Sequence, residues 1–573
     1  MSRPALTLPP QLSPAAAEST LRRVSRFLEL ALPLCRAHTV EFYTRGLWDR
    51  LVEPRPAAVL EALRRPLAEA SGAAGERWDD DTFSNVFCEN SEKLINVHLF
   101  ALAAKYCSLS NLGVCIPLED ILEALRGENQ GTTGIKTDEF MNNKKSHEVQ
   151  VMSELVVNIA NYCGIKQVID IGSGKGYLSS FLSMQYNLKV YGIDSSNINT
   201  NSAHERNRKL KKHWRAYQSR GKTNLKSESL EKANGRPVES EIKCKAIDGK
   251  PLNNDSSLQS QDQMAIQDLV PFCGFTGIAT CEMSKQTEAD LVGGTQSDEN
   301  RLSEEVLAIL NILPADAVEV SSSQCNWGEL CEEEKAQRKM ASLKAKDCMM
   351  VGLHTCGDLA ANTLRIFTAK PEIKAVCSVG CCYHLLSEQF ENQEECPKEV
   401  WGFPMCQYLK DKGWCCGRNA RMSACLALER VAVGQMLPTE SLFYRAVLQV
   451  IIEEIYGITK SDRHVGKTFS KSSSFIDYVR KSLKKMELDD SKLPDRCIMD
   501  YYEKYKHRMN ELEAFNMLKV VLAPCIEVLI LLDRLCYLKE QENISWSGLV
   551  KLFDPVKSPR CCAVIALKKE SCF

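Results

Sequence analysis

Asp170, Gly172, Ser173, Gly174 and Gly176 stand within VIDIGSGKGYLSS, where an apolar run ends in an acid, passes through a glycine-spaced turn and enters an amphipathic stretch. Glycines allow φ > 0 and close approach to the backbone, and the amides that open a helix are free to bind a polar ligand. Spacing sorts the ligand classes. A P-loop needs GxxxxGK followed by Ser or Thr, whereas here Ile169 stands five residues before Gly174 and Lys175 is followed by Gly176. The dinucleotide fingerprint needs Gly or Ala where Tyr177 stands. Asp194 closes the next apolar run, LKVYGID, and an acid at the tip of a parallel strand can accept ribose hydroxyls.

What remains is GxGxG with an acid two residues ahead, the pattern of S-adenosylmethionine-dependent methyltransferases. Asp170, Gly172, Ser173, Gly174 and Gly176 are expected to cradle the methionine portion of S-adenosylmethionine, and Asp194 to hold its ribose. Methyl transfer then needs a positioned acceptor and, for a hydroxyl or protonated amine, a base. His354 and Asp358 in GLHTCGDL are the candidate catalytic groups: the histidine has the right pKa, and the acid has a rival role as a helix cap. Cys381, Cys382, Tyr383 and His384 end the next strand, where they line an acceptor pocket or pack the core. Lys144, Lys145, His147 and Glu148 precede the glycine-loop strand, at a helix start bordering the cleft.

No metal centre is expected. The chain has 26 cysteines but no CxxC pair, and without a secretory signal the thiols read as free, small hydrophobes in a reducing compartment. Cys377, Cys381, Cys382 and His384, with His354 and Cys356, come nearest to a metal box, and buried strand cysteines account for them.

The elements around these residues follow from periodicity. Residues 1–140 carry three or more amphipathic helical patterns and are expected to form an all-helical N-terminal domain. From 141 to 214 the order is helix, strand, glycine turn, helix, strand, the crossover unit of a parallel α/β sheet. Ser146 or Asn143 is the expected cap of its first helix. Residues 215–340 are rich in Ser, Gln, Asn, Glu and Lys, and are expected to be a mostly disordered insertion, with a strand at 241–248 and a helix at 304–313 as exceptions. The sheet resumes over 341–435. Residues 436–573 add helices and a closing strand at Cys561–Leu567. The fold class expected is α/β: a Rossmann-like core with helical C-terminal additions.

KKSHEV, VIDIGSGKGYLS, GLHTCGDL, VGCCYHLL and NARMSA together resemble the methyltransferase-like protein 25 family, over nearly the whole chain. The resemblance implies a seven-stranded class I methyltransferase fold and methyltransferase activity, and carries little substrate information. GLHTCG is also similar to a signature of a tRNA 2′-O-methyltransferase family, whose CxxC-type zinc motifs this chain lacks.

The 573 residues hold 72 basic and 74 acidic side chains, so no global field draws the protein to nucleic acid, and RNA contact would need a local patch. Arg206 to Arg215 is one, with His213 and Trp214 among its basic residues. The acceptor is expected to be RNA or protein; the alternative is a methyltransferase-fold binding or scaffold protein that performs no transfer. A nicotinamide oxidoreductase rests on shared fold alone and is disfavoured by Tyr177. No membrane partner is expected, because Pro524, Glu527, Asp533 and Arg534 break the apolar run from Lys519 to Leu538 into a buried helix pair. An intracellular site, cytoplasmic or nuclear ahead of mitochondrial, is expected, and oligomeric state stays open.

Overall fold

The computed structural model describes residues 8–64, 83, 85–125, 141–210, 212, 347–391, 400–426, 428, 439–459 and 465–569. The expected insertion at 215–340, its strand and helix, and most of the basic run beyond Leu210 lie outside them.

Seven strands form one sheet: β1 (Cys115–Pro117), β2 (Gln167–Ile171), β3 (Lys189–Ile193), β4 (Cys348–Cys356), β5 (Ile373–Cys381), β6 (Ile544–Lys551) and β7 (Cys562–Lys568). Their order is β1-β6-β7-β5-β4-β2-β3. β7 runs antiparallel to both neighbours, β5 and β6, while the remaining pairs are parallel. The closing strand therefore enters the middle of the sheet. Sequence patterning assigns neither β1, which is three residues long, nor β6, whose ISWSGLVK breaks its apolar pattern with serines and a glycine. The N-terminal region is helical, as expected, and β1 ties it to the sheet edge.

Alternation along the strands assigns side chains to two cores. Met350 and Val376 face one, with the N-terminal and C-terminal helices; Met349, Val351, Ala375 and Cys377 face the other, with the helices that flank the glycine loop. Helix α1 (Pro14–Arg36) starts at Ser13, which accepts the Ala16 amide, and buries Leu21, Val24, Leu28 and Cys35 on one stripe. Helices α2 (Asn143–Tyr162) and α3 (Tyr177–Tyr186) lie against β2; α4 (Asp358–Ala369) joins β4 to β5. Helix α5 (Arg418–Ser423) and the long α6 (Met509–Lys539) complete the part that bears on the site.

Helix α6 corrects the expected helix pair. It runs 31 residues without a break, with Pro524 inside, because one lost backbone bond costs about 3 kcal/mol and the packing around it outweighs that. A helix apolar on every side belongs in an interior, and the most apolar window of α6 is 89% buried. Its two adjacent charges are buried with it. Asp533 accepts the Met405 amide at 2.9 Å and the Cys406 amide at 2.8 Å, and so pins the chain that returns from the sheet. Asp533→Ala should leave two buried N–H groups unpaired and lower stability by about 3 kcal/mol, read as the urea midpoint, with a smaller loss in Asp533→Asn. An alanine variant within about 0.5 kcal/mol of wild type would remove the pin from this account.

Candidate functional site

Strand β2 ends at Ile171, and the chain turns through Gly172 and Gly174 at φ of 68° and 55° before α3 begins. Both glycines are required. A Cβ on Gly172 would sit 3.1 Å from Leu359 Cδ2 and 3.4 Å from the His354 carbonyl oxygen, so the turn lies directly against the tip of β4. Gly174 has open space on its Cβ side in the left-handed region that side chains avoid. Ser173 donates its amide to Ile193 and accepts the Gly176 amide through its carbonyl.

Asp194 closes the loop from β3. One carboxylate oxygen accepts the Gly174 amide at 2.9 Å, and the other accepts the Ser196 amide and the Asn199 side-chain amide at 2.9 and 3.1 Å. The two acids expected at the cofactor thus differ in environment. Asp170 is 1% exposed and accepts the Ser179 hydroxyl at 2.5 Å, so it braces the turn from within the fold. Burial raises its carboxyl to about 7, against the lowering effect of the Ser179 bonds.

His354 is half-exposed at the tip of β4, with Nε2 3.4 Å from Oε2 of Glu148. Glu148 is buried in the first turns of α2, whose cap is Asn142, one residue before Asn143 and four before Ser146, the two expected positions. The Asn142 side chain accepts the Lys145 amide at 2.9 Å, which starts the helix early enough to aim Glu148 inward. Ser558 donates to Glu148 at 2.6 Å, and Lys144 stands 3.6 Å away. Burial pushes this carboxyl up, but His354, Lys144 and Ser558 together outweigh it and hold Glu148 below its ordinary value. His147 faces elsewhere, accepting the Asp554 amide at 3.1 Å.

Asp358 is not the cap of α4, which is Gly357. Its two oxygens accept the amide and the hydroxyl of Ser387, each at 2.7 Å. It holds the loop that follows β5. The same loop is clamped by Arg421 of α5, which donates to the carbonyls of Tyr383, His384 and Leu386. VGCCYHLL and NARMSA meet here, a contact that no spacing in the sequence announces.

The sulfurs of Cys356, Cys381 and Cys382 lie within 4.8 Å of one another, beside these loops. S–H donation from Cys356 and Cys381 holds the Cys382 thiol below its ordinary value, and the same contacts push Cys381 up. Cys377 is excluded from the group by its place in the core among Val379, Ala375 and Met349. On the far side of the glycine loop, Arg206 lies 3.5 Å and Lys145 4.5 Å from the Tyr177 ring centroid, so two cations flank the residue that opens α3.

A family model described as "Methyltransferase domain" matches residues 144–389, the span that carries the glycine loop, Glu148, His354 and the thiol cluster. The mixed sheet with helices on both faces is the α/β fold of class I methyltransferases. The chain belongs to the methyltransferase-like protein 25 family. It is 57% identical over 96% of its length to a Homo sapiens protein named "Probable methyltransferase-like protein 25", of which it covers 97%. A Mus musculus protein of the same name is 54% identical, with 96% of each chain covered. No solved structure matches the chain.

The raised carboxyl of Asp170 has a stability consequence. Its folded value near 7 lies above the unfolded value of about 3.9, so the folded state holds the extra proton between them. This contribution is complete below about pH 4 and is lost as pH rises through 7, by about 1.4 kcal/mol per pH unit at most. Asp170→Asn should therefore gain stability relative to wild type between pH 5 and pH 7, measured by chemical denaturation at each pH. A constant difference across that window would contradict the assignment.

Proposed function

We propose that the protein transfers a methyl group from S-adenosylmethionine to an oxygen or nitrogen of an RNA or protein acceptor, with His354 as general base. The observation that carries this reading is the pairing of buried Glu148 with half-exposed His354, whose backbone touches the glycine loop. When bound, the cofactor supplies a sulfonium-activated methyl carbon, and the chain's task is to position groups and remove a proton.

The residues present fit that cofactor. Gly174 offers an open backbone face, α3 offers its first amides, and Asp194 stands at the tip of β3. A carboxylate has about four lone-pair directions, and three are taken by Gly174, Ser196 and Asn199. Asp194 would hold a ribose hydroxyl through the direction left open. Asp170 acts through Ser179 and the turn, not by touching the ligand.

Glu148 fixes the proton of His354 on Nε2 and leaves Nδ1 as the acceptor of the substrate's proton. The imidazolium that results is stabilised by the same carboxylate, which burial keeps in place. Asp358 and Arg421 shape the loop on the acceptor side and take no proton.

Calorimetric titration with S-adenosylmethionine should show binding to wild type that Asp194→Ala weakens by at least about tenfold, the loss of one charge-assisted bond. His354→Ala and Glu148→Gln should bind the cofactor as wild type does, yet lose roughly 10²- to 10⁴-fold in transfer to RNA or protein fractions from cells lacking the enzyme. Unchanged affinity in Asp194→Ala would sink the ribose assignment; unchanged turnover in His354→Ala would remove the base.

A further inference from the structure

Cys356 ends β4 and Cys381 ends β5, and the two are register partners on neighbouring parallel strands. Their side chains leave the sheet on one face. Cys382 follows directly, and an extended chain would send it to the opposite face. Instead its φ of 45° places it in the left-handed region, at a cost of about 1–2 kcal/mol for a residue with a Cβ. That turn brings all three sulfurs within 4.8 Å of one another. Strain of this kind persists where the surroundings enforce it, and it gathers at functional sites. Here Arg421 enforces it, by its bonds to the three carbonyls that follow the kink.

We propose that Cys356, Cys381 and Cys382 form a three-thiolate binding site for a zinc ion at the carboxyl edge of the sheet. Zinc takes thiolates at about 2.3 Å in tetrahedral geometry, which sets sulfurs roughly 3.8 Å apart. The trio needs less than an ångström of opening between Cys356 and Cys381, which stand 3.0 Å apart. Binding replaces the S–H bonds with sulfur–zinc bonds, the displaced protons go to solvent, and no electron moves. No imidazole nitrogen among the described residues joins the three sulfurs at that spacing, so the fourth position is left to solvent.

The test does not depend on the methyl-transfer reading. Full-length protein purified in the presence of reductant and zinc should carry one zinc per chain by plasma mass spectrometry. Cys356→Ser and Cys382→Ser should each lower that content at least tenfold, while Cys497→Ser, outside the trio, keeps it. Cobalt(II) titrated into metal-stripped wild type should give a thiolate-to-cobalt charge-transfer band, which keeps the proposal testable if a serine variant fails to fold. Folded wild type with neither zinc nor that band overturns the site. So does zinc retained by both trio variants, or a Cys356–Cys381 disulfide found by peptide mass spectrometry in place of metal.

Discussion

The guanidinium of Arg421 is the interaction on which the acceptor side of the molecule depends. Where β5 ends, Cys382 turns left-handed and the next residues form a short 3-10 turn, Tyr383–Leu385. Carbonyls that would have continued the sheet are left facing the interior, and a buried carbonyl without a donor is costly. Arg421, 2% exposed, turns one nitrogen, Nη1, toward three of them, while its Nε and Nη2 face Glu388 at 2.9 Å and Glu391 at 2.5 Å. A lysine could not do this, because its single nitrogen cannot meet the carbonyls and both carboxylates at once, whereas the guanidinium plane presents a separate nitrogen to each. The turn is braced again through Tyr383, whose hydroxyl donates to Glu527 of α6, which in turn pairs with Arg560 at 3.1 Å. Segments from four distant parts of the chain thus agree on the position of one loop.

Much of the fold was readable because the central parallel strands, β2, β4 and β5, are buried on both faces. QVIDI is buried at every position, so a continuous apolar run announces a strand whatever surrounds it. The glycine loop was readable for a related reason: its backbone demands left-handed φ at fixed places, and only glycine meets that without strain. β1 escaped because three residues carry no period, and β6 because its serines and glycine break the apolar run. The cap is Asn142, one residue from Asn143, as helix ends commonly shift, and a full turn from Ser146, which lies inside the helix.

The site was legible residue by residue but not as an arrangement. His354 and Glu148 each stand out as titratable groups near strand or helix ends, yet their meeting depends on α2 crossing the carboxyl edge of β4. Asp358 was open to two readings, a catalytic group or a helix cap; Gly357 holds the cap position, and the amide and hydroxyl of Ser387 engage both carboxylate oxygens. Six cysteine and histidine positions offered no way to choose among them until register placed Cys356 beside Cys381 and packing removed Cys377.

Several buried charges serve the site and the chain around it. Glu148, Asp170, Arg421, Asp533 and Arg534 are all nearly inaccessible to water, and each such group destabilises the fold unless it is paired. A sheet core needs none of them, since apolar residues of the same volume pack as well. Their positions follow the chemistry instead. Glu148 backs the exposed histidine, Asp170 underpins the glycine turn, Arg421 and Asp533 secure the returning chain, and Arg534 lies over the Tyr383 ring. A base must be held in one orientation as the acceptor changes around it, and fixed charges in a dry setting hold it more firmly than water-exposed ones. Asp533 and Arg534 are carried on α6, so the long apolar helix whose burial stabilises the core also delivers fixed charges to the edge where the site lies.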